Sequence, residues 1–331
     1  MAHQGGQPLT DDLLLDGLVT KAQSGFFAVE TPIGDITSQV RGRLIKERLN
    51  TDPVALGDRV RISLTEKYEN DTVVLQGMIE EVLPRARAFT RQMPAPGGRR
   101  GDLPDREQVL IANPDQVVLV FAIANPEPRL RMLDRFLVIA EKNRIPAVIV
   151  ANKLDLVTME QAEAVFAEYE RIGYPVLYTS AHDDTGVSAL HNRLTDQISA
   201  LAGPSGVGKS SLLNAIQPEL GLRVKAVSEA NQKGRHTTVH PQLFPLDNGG
   251  YVADLPGIKA IGLYNIEPGE IDAYFREIEP FTAMCRFNNC RHLTEPSCAV
   301  RAAVEEGLVS PARLESYLRL REEAEAIYYR C

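Results

Sequence analysis

A glycine-rich loop in this chain is flanked, upstream and downstream, by short polar segments. Gly203-Pro204-Ser205-Gly206-Val207-Gly208-Lys209-Ser210 is a glycine-rich loop between a short apolar run, Ile198-Ser199-Ala200-Leu201-Ala202, and a helical run beginning near Lys209. A strand, a tight loop and a helix in that succession aim consecutive backbone N–H groups at one anion, at the positive end of the helix. Upstream of the loop stand Asn152-Lys153-Leu154-Asp155 and Ser180-Ala181, each ending an apolar run of strand length. Downstream stand Thr237-Thr238 and Asp254-Leu255-Pro256-Gly257. These segments can serve one ligand only if they leave the same edge of a parallel sheet. A doubly wound sheet gathers its ligand loops at the carboxyl ends of its strands, whatever their order along the chain. The expectation is an α/β sheet, complete at its binding edge, whose chain order has been permuted.

Each segment carries its own chemistry. Lys209 would bridge β- and γ-phosphates and the Ser210 hydroxyl would face Mg²⁺, with Ser211 in the same helical turn. A carboxylate at Asp155 can accept both N1–H and the 2-amino group of guanine, a donor pair that adenine lacks. Asn152 would tie the base-reading segment to the phosphate loop, the Lys153 stem would cover the ring, and the Ala181 N–H, after Ser180, would reach the guanine O6. The expected ligand is therefore GTP. Asp254 would hold Mg²⁺ through water, Thr237 or Thr238 would add a hydroxyl, and the Gly257 N–H would sense the γ-phosphate. Many GTPases place a Gln after that glycine to orient the attacking water. Here Ile258 stands there, so orientation falls to another group, and His236 is the nearest polar candidate. Slow hydrolysis without a partner is expected.

Cys285, Cys290, His292 and Cys298 lie within a single short stretch. Three thiolates and an imidazole make a closed tetrahedral set for one structural Zn²⁺. The chain has four cysteines, the fourth being Cys331, and an odd trio without a secretory segment argues against a disulfide framework. Helical apolar spacing over 271–278, and at Leu314, Tyr317 and Leu318 after a Ser310-Pro311 start signal, predicts a small helical module knitted by the metal.

The leading part reads differently. Gly17-Leu18-Val19-Thr20-Lys21, Phe26-Phe27-Ala28-Val29-Glu30, the alternating Val60, Ile62 and Leu64, and Thr72-Val73-Val74-Leu75-Gln76 are strand-like, with a hairpin turn around Glu69-Asn70-Asp71. About five short strands in this space predict a small barrel of the OB type. Such barrels often bind nucleic acid, and Phe26 and Phe27 are candidate aromatics, one of them core. Arginines at 85, 87 and 91, then the Pro- and Gly-rich run 94–101, predict a flexible basic connector able to meet RNA phosphates. The net charge of −8 limits any RNA contact to such local patches. No stretch has membrane-spanning length and the start lacks signal-peptide features, so a cytoplasmic chain is expected.

Together these residues give a multidomain chain. An all-β OB-fold barrel is expected over 1–88, a basic linker over 89–107, an α/β P-loop GTPase with circularly permuted motifs over 108–265, and a small α-helical zinc-binding domain over 266–331. The rotated order, Gly234-Arg235-His236-Thr237-Thr238, Asp254-Leu255-Pro256-Gly257 and the Cys285-Cys290-His292-Cys298 spacing resemble the ribosome small subunit-dependent GTPase A family over nearly the whole chain. The resemblance implies a bacterial-type cytoplasmic GTPase that acts late in maturation of the small (30S) ribosomal subunit, contacts its rRNA, and is stimulated by the subunit. It also implicates the histidine matching His236 in hydrolysis. Val239 departs from the third threonine common in that family, leaving the choice between Thr237 and Thr238 open. The polar pair Asp196-Gln197 before the phosphate-loop strand has no reading from sequence. Expected partners are GTP and GDP, one Zn²⁺, Mg²⁺ with the nucleotide, the small subunit and its rRNA, for a monomer without membrane contact. A nucleotide-gated RNA-binding or scaffold protein with incidental hydrolysis, and a GTPase serving the large subunit or a non-ribosomal RNA, are the alternatives.

Overall fold

The computed structural model describes residues 14–47, 51–69, 72–93, 106–222, 242–255, 263 and 266–328. Strands β1 (Leu15–Gln23), β2 (Phe26–Thr31), β3 (Gly34–Val40), β4 (Arg59–Glu69) and β5 (Thr72–Val82) close into a barrel in the order β1-β2-β3-β5-β4. Period-two alternation sends Val19, Val29, Ile36, Val60, Ile62 and Ile79 inward, and closure removes every strand edge. A short helix, α1 (Gly42–Glu47), joins β3 towards β4 and adds Leu44 to that core. Glu69 pairs with Thr72 as the expected hairpin requires, though residues 70 and 71 lie outside the described set. Phe26 is exposed while Phe27 packs against the barrel core.

The expected connector carries structure at both ends. Strand β6 (Ala88–Met93) pairs antiparallel with β7 (Arg106–Ala112), and the intervening 94–105 lie outside the described residues. This ribbon is bolted to the barrel side: the Ala112 N–H donates to the Leu56 carbonyl at 2.7 Å and the Val109 N–H to Asp52 Oδ2 at 2.9 Å. Arg85, read from sequence as part of an RNA-facing cluster, instead grips the fully buried Asp58 carboxylate with two 2.7 Å bonds. Arg91 likewise donates to Gln108. A buried carboxylate needs a fixed partner, and that local demand takes Arg85 inward. The GTPase domain is expected to start at 108, but 108–112 belong to this ribbon and not to the central sheet.

The central sheet runs β10-β9-β8-β11-β13-β12, formed by β8 (Gln116–Ala122), β9 (Ala147–Asn152), β10 (Val176–Thr179), β11 (Ile198–Ala202), β12 (Phe244–Pro245) and β13 (Tyr251–Asp254). All pairings are parallel except β12 with β13. Strands β8, β9 and β11 are buried along their whole length, as central strands covered on both faces must be. Alternation along β8 assigns the faces. Val117, Leu119 and Phe121 pack with α2 (Leu130–Lys142) and α3 (Met159–Arg171), whereas Val118, Val120 and Ala122 pack with α4 (Val187–Leu194) and α5 (Lys209–Ile216). The chain builds one half of the sheet, β8-β9-β10, then returns to the centre at β11 and builds the other half. Asp196-Gln197 make that return. Asp196 turns through φ +56° and the Gln197 carbonyl accepts the Tyr251 N–H at 2.8 Å.

The C-terminal module docks on α2. It contains a 3₁₀ stretch at Pro268–Tyr274, α6 (Glu279–Thr282), α7 (Ala299–Glu305) and α8 (Pro311–Tyr328). The α-helix expected over 271–278 is this 3₁₀ stretch followed by extended backbone at Phe275. Ile271, Phe275 and Ile278 are nonetheless all buried, which is why the spacing read as helical. Where the module meets α2, the Arg313 guanidinium is buried and bonded to Asp134 of α2 and to Glu277, with side-chain exposures of 4%, 4% and 5%. It also lies over the rings of Phe275 and Tyr169. Replacing Arg313 with Met strands two buried carboxylates, and a loss of about 3–5 kcal/mol is expected by denaturant unfolding. A loss below about 1 kcal/mol would mean that water or another cation reaches them.

Candidate functional site

The sheet brings the base-reading and phosphate-binding segments to one edge. Because β9, β10, β11 and β13 are parallel, the segments following them leave on the same side. Asn152, buried at the end of β9, is the knot between them. Its Nδ2 donates to the Val207 carbonyl in the phosphate loop at 2.8 Å, and its Oδ1 accepts from Thr179 Oγ1 of β10 at 3.0 Å. Lys153 follows in a left-handed conformation that lays its Nζ against the Asn125 carbonyl. Burial lowers its ammonium pKa, with the Asp155 charge opposing. Ser180 Oγ donates to Asp155 Oδ1 at 2.8 Å and also accepts the His182 N–H, so the carboxylate is held by the segment that carries Ala181.

The phosphate loop spans from β11 to α5. Gly203 must be glycine, because a Cβ there would stand 2.1 Å from the Val120 carbonyl oxygen. Gly208 must be too, at φ +96° with the Asn152 Nδ2 2.3 Å from where a Cβ would sit. The loop and the base-reading strand therefore interlock through a missing side chain. Pro204, Ser205 and Gly206 form the turn, Lys209 Nζ donates to the Gly203 and Pro204 carbonyls at 3.0 Å each, and Ser210 and Ser211 lie in the first turn of α5. Gly208→Ala adds about 1–2 kcal/mol of left-handed strain and breaks the Asn152 bond. Nucleotide affinity is expected to fall roughly tenfold or more, measured by fluorescent-nucleotide titration. Unchanged affinity would show that the loop tolerates the displacement.

Asp254 ends β13, paired in register with Leu201 at the foot of the loop. Burial pushes its carboxyl pKa up while the Lys209 ammonium pulls it down, and its Oδ1 is buried with no hydrogen-bond partner among the described residues. An orphaned buried carboxylate oxygen beside a phosphate loop fits a hydrated divalent cation. His236, Thr237, Thr238 and Gly257, all expected at this site, lie outside the described residues. Thr179 and Asn125, which fix Asn152 and Lys153, were not assigned from sequence, since cross-strand partners leave no local signal. A cavity of about 100 Å³ beside the loop is lined by Phe121, Arg129, Pro204 and Ser205. A larger one, about 310 Å³ and lined by Asp115, Arg193 and Gln197, opens at the opposite edge of the sheet and holds none of the motif residues.

The second constellation is a Cys₃His cluster that could hold a metal ion. Ligand atoms of Cys285, Cys290, His292 and Cys298 all lie within 4.8 Å of one another. His292 Nδ1 is 3.4 Å from Cys298 Sγ, and its Nε2 is 3.3 Å from Asp272 Oδ2, placed to fix the ring as a ligand's outer partner does. Burial pushes the Cys290 thiol up to about 12 and raises that of Cys298, so these two sulfurs become thiolates only around a cation. The cluster is built to hold one.

Residues 82–264 match the family model described as RsgA GTPase, and residues 16–70 that of the RsgA N-terminal domain. The chain belongs to the RsgA GTPase family. Its central domain is accordingly that of a GTP-hydrolysing enzyme. Among RsgA relatives, the small ribosomal subunit biogenesis GTPase RsgA of Gemmatimonas aurantiaca is 47% identical over 308 residues, 93% of this chain and 96% of its own length. That of Moorella thermoacetica is 41% identical over 304 residues, 92% of this chain and 95% of its own. The structure of YjeQ from Thermotoga maritima superposes with a TM-score of 0.73 at 35% identity, covering 94% of this chain and 99% of that one. YloQ, described as a circularly permuted GTPase, gives a TM-score of 0.69 at 32% identity over 97% of this chain and 99% of its own. The permuted order read from the motifs matches the circular permutation described for YloQ.

Proposed function

We propose that this chain hydrolyses GTP in late maturation or checking of the small ribosomal subunit, bound to its rRNA and released on hydrolysis. One observation carries the reading. The Asp155–Ser180 pair and the Lys209–Asp254 pair leave one sheet edge, tied by Asn152, although the chain order is rotated. Relatives of matching length bear the small-subunit biogenesis name, which supports the partner.

In this reading Asp155 accepts the guanine N1–H and amino group, Lys153 covers the ring, and the Ala181 N–H, beside Ser180, reaches O6. Backbone N–H groups of 203–208 cradle the phosphates, with Lys209 between β and γ and Ser211 supporting the turn. Ser210, Asp254 and Thr237 or Thr238 would hold Mg²⁺, which when bound neutralises charge on the β- and γ-phosphate oxygens. His236 orients the water for in-line attack, and the Gly257 N–H reads the γ-phosphate. Cys285, Cys290, His292 and Cys298 would hold one structural Zn²⁺. No helix among the described residues is long and apolar enough to cross a membrane. The protein works as a cytoplasmic monomer, with barrel and metal module as the rRNA-binding parts. The GTPase domain is taken over 108–265, with its sheet beginning at Gln116 after the ribbon strand.

Turnover measured with purified small and large ribosomal subunits tests the proposal. Small subunits should raise the rate by roughly tens-fold or more, a smaller gain than the about 10³–10⁵ that a partner-supplied arginine gives other GTPases. Equal stimulation by both subunits, or none by the small one, overturns it.

A further inference from the structure

The barrel touches the nucleotide domain at a place shaped for it. Thr20 is a bulge: the β1–β2 register shifts between Val19 and Lys21, leaving Thr20 outside the ladder. Bulges re-aim backbone groups, and this one turns the Thr20 carbonyl out of an otherwise closed barrel. The carbonyl accepts the Leu243 N–H at 2.8 Å, and neighbouring Lys21 pairs with Gln242 as an antiparallel bridge. Across from it, Tyr251 Oη donates to Glu30 Oε1 of β2 at 2.6 Å. Gln242 and Leu243 lead directly into β12, and Tyr251 starts β13. The barrel therefore holds both strands of the edge hairpin, in which Phe244 pairs with Val252 and Pro245 with Tyr251.

At the far end of β13, about 10 Å along the strand by the usual rise, stands Asp254 with its orphaned Oδ1. Inside the sheet β13 is locked to β11, the strand that carries the phosphate loop, from Ile198–Tyr251 to Leu201–Asp254. One short rigid strand thus has a barrel-gripped end and a phosphate-site end.

We propose that the β12–β13 hairpin couples the barrel to the phosphate site, through the Glu30–Tyr251 pair and the Thr20 bulge. What the barrel binds then biases how Asp254 meets the nucleotide, and by reciprocity the nucleotide state biases the barrel. The inference rests on the reading above for the identity of the partner, rRNA of the small subunit, but not for the coupling itself. Neither Glu30 nor Tyr251 belongs to the nucleotide site. Tyr251→Phe keeps the ring's packing and removes only the hydroxyl, and Glu30→Ala removes the acceptor.

Amide hydrogen exchange on the full chain tests the coupling without any ribosome. With a non-hydrolysable GTP analogue against GDP, exchange at the Leu243 and Lys21 amides should differ about fivefold or more in the wild type, the low end of typical allosteric couplings. The difference should fall by more than half in Tyr251→Phe and in Glu30→Ala, with thermal midpoints and unstimulated KM for GTP near wild type. No nucleotide dependence in the wild type, or an undiminished one in both variants, overturns the coupling. Subunit-stimulated turnover forms a separate arm. The variants should lose most of the stimulation while keeping basal turnover, and full stimulation in both also overturns the coupling. A wild type that small subunits fail to stimulate would defeat the ribosomal reading and leave the exchange result standing.

Discussion

Asp155→Asn is expected to weaken GTP binding about a hundredfold or more and to transfer preference to xanthosine triphosphate. The carboxylate ends a rigid support. Ser180 Oγ holds Oδ1 at 2.8 Å, and Asn152, three residues earlier, is buried and bonded on both sides. A carboxylate accepting two guanine donors makes charge-assisted bonds worth about 1.5–3 kcal/mol each. An amide in its place sets an NH₂ against one donor, losing one bond and burying a clash. Each 1.4 kcal/mol is tenfold in Kd, so a hundredfold is the conservative figure. Xanthine carries an oxygen where guanine carries its amino group, and the amide can donate to it. Competition titrations with the four common triphosphates and xanthosine triphosphate read the outcome directly. Unchanged selectivity would remove Asp155 from the base-reading role and leave the rotated order without its ligand.

Removing the metal is expected to have the larger effect on structure. Closed zinc sites of this donor set contribute about 10–16 kcal/mol of apparent binding free energy at neutral pH, which in a small module is folding free energy. Here the metal-binding loop supplies most of what joins α6 to α7, and His292 leans on Tyr317 of α8 with ring centroids 5.5 Å apart. Chelation, or Cys298→Ser, should expose the amides of 266–328 to exchange while the barrel amides stay protected. Because Arg313 joins α8 to α2, the loss should spread to the outer face of α2. Mass spectrometry under native conditions should find one zinc per chain. Protection that survives both chelation and Cys298→Ser would mean that the buried aromatic cluster around Phe275 and Tyr317 holds the module without a metal.

What the sequence revealed follows from how locally each feature is encoded. The phosphate loop, the Asn152–Asp155 quartet and the cysteine spacing are contiguous, so their chemistry was readable before any fold was known. The strands around them are near-continuous apolar runs, and those too were found. Features that depend on partners distant in sequence were not. Arg85 looked like a free cation because Asp58, which claims it, is marked by nothing nearby. The segment 108–113 looked like the first sheet strand because a ribbon strand and a sheet strand share one pattern. Over 271–278, apolar spacing signalled burial correctly, but Pro268 and the Glu267–Glu270 cap wind the backbone more tightly than an α-helix. Asp196-Gln197 had no reading until β13 lay beside them.

The strand order also shapes how the protein can be synthesised. Strand β8 emerges with β9 and β10 long before β11, yet every residue of β8 is buried in the finished sheet. Until the phosphate-loop strand leaves the ribosome, the nascent half-sheet carries an open margin that is apolar from Val117 to Ala122, the kind of edge that recruits neighbouring chains. Permutation keeps the binding edge intact, while the central β8 waits for its second neighbour through the synthesis of β9 and β10.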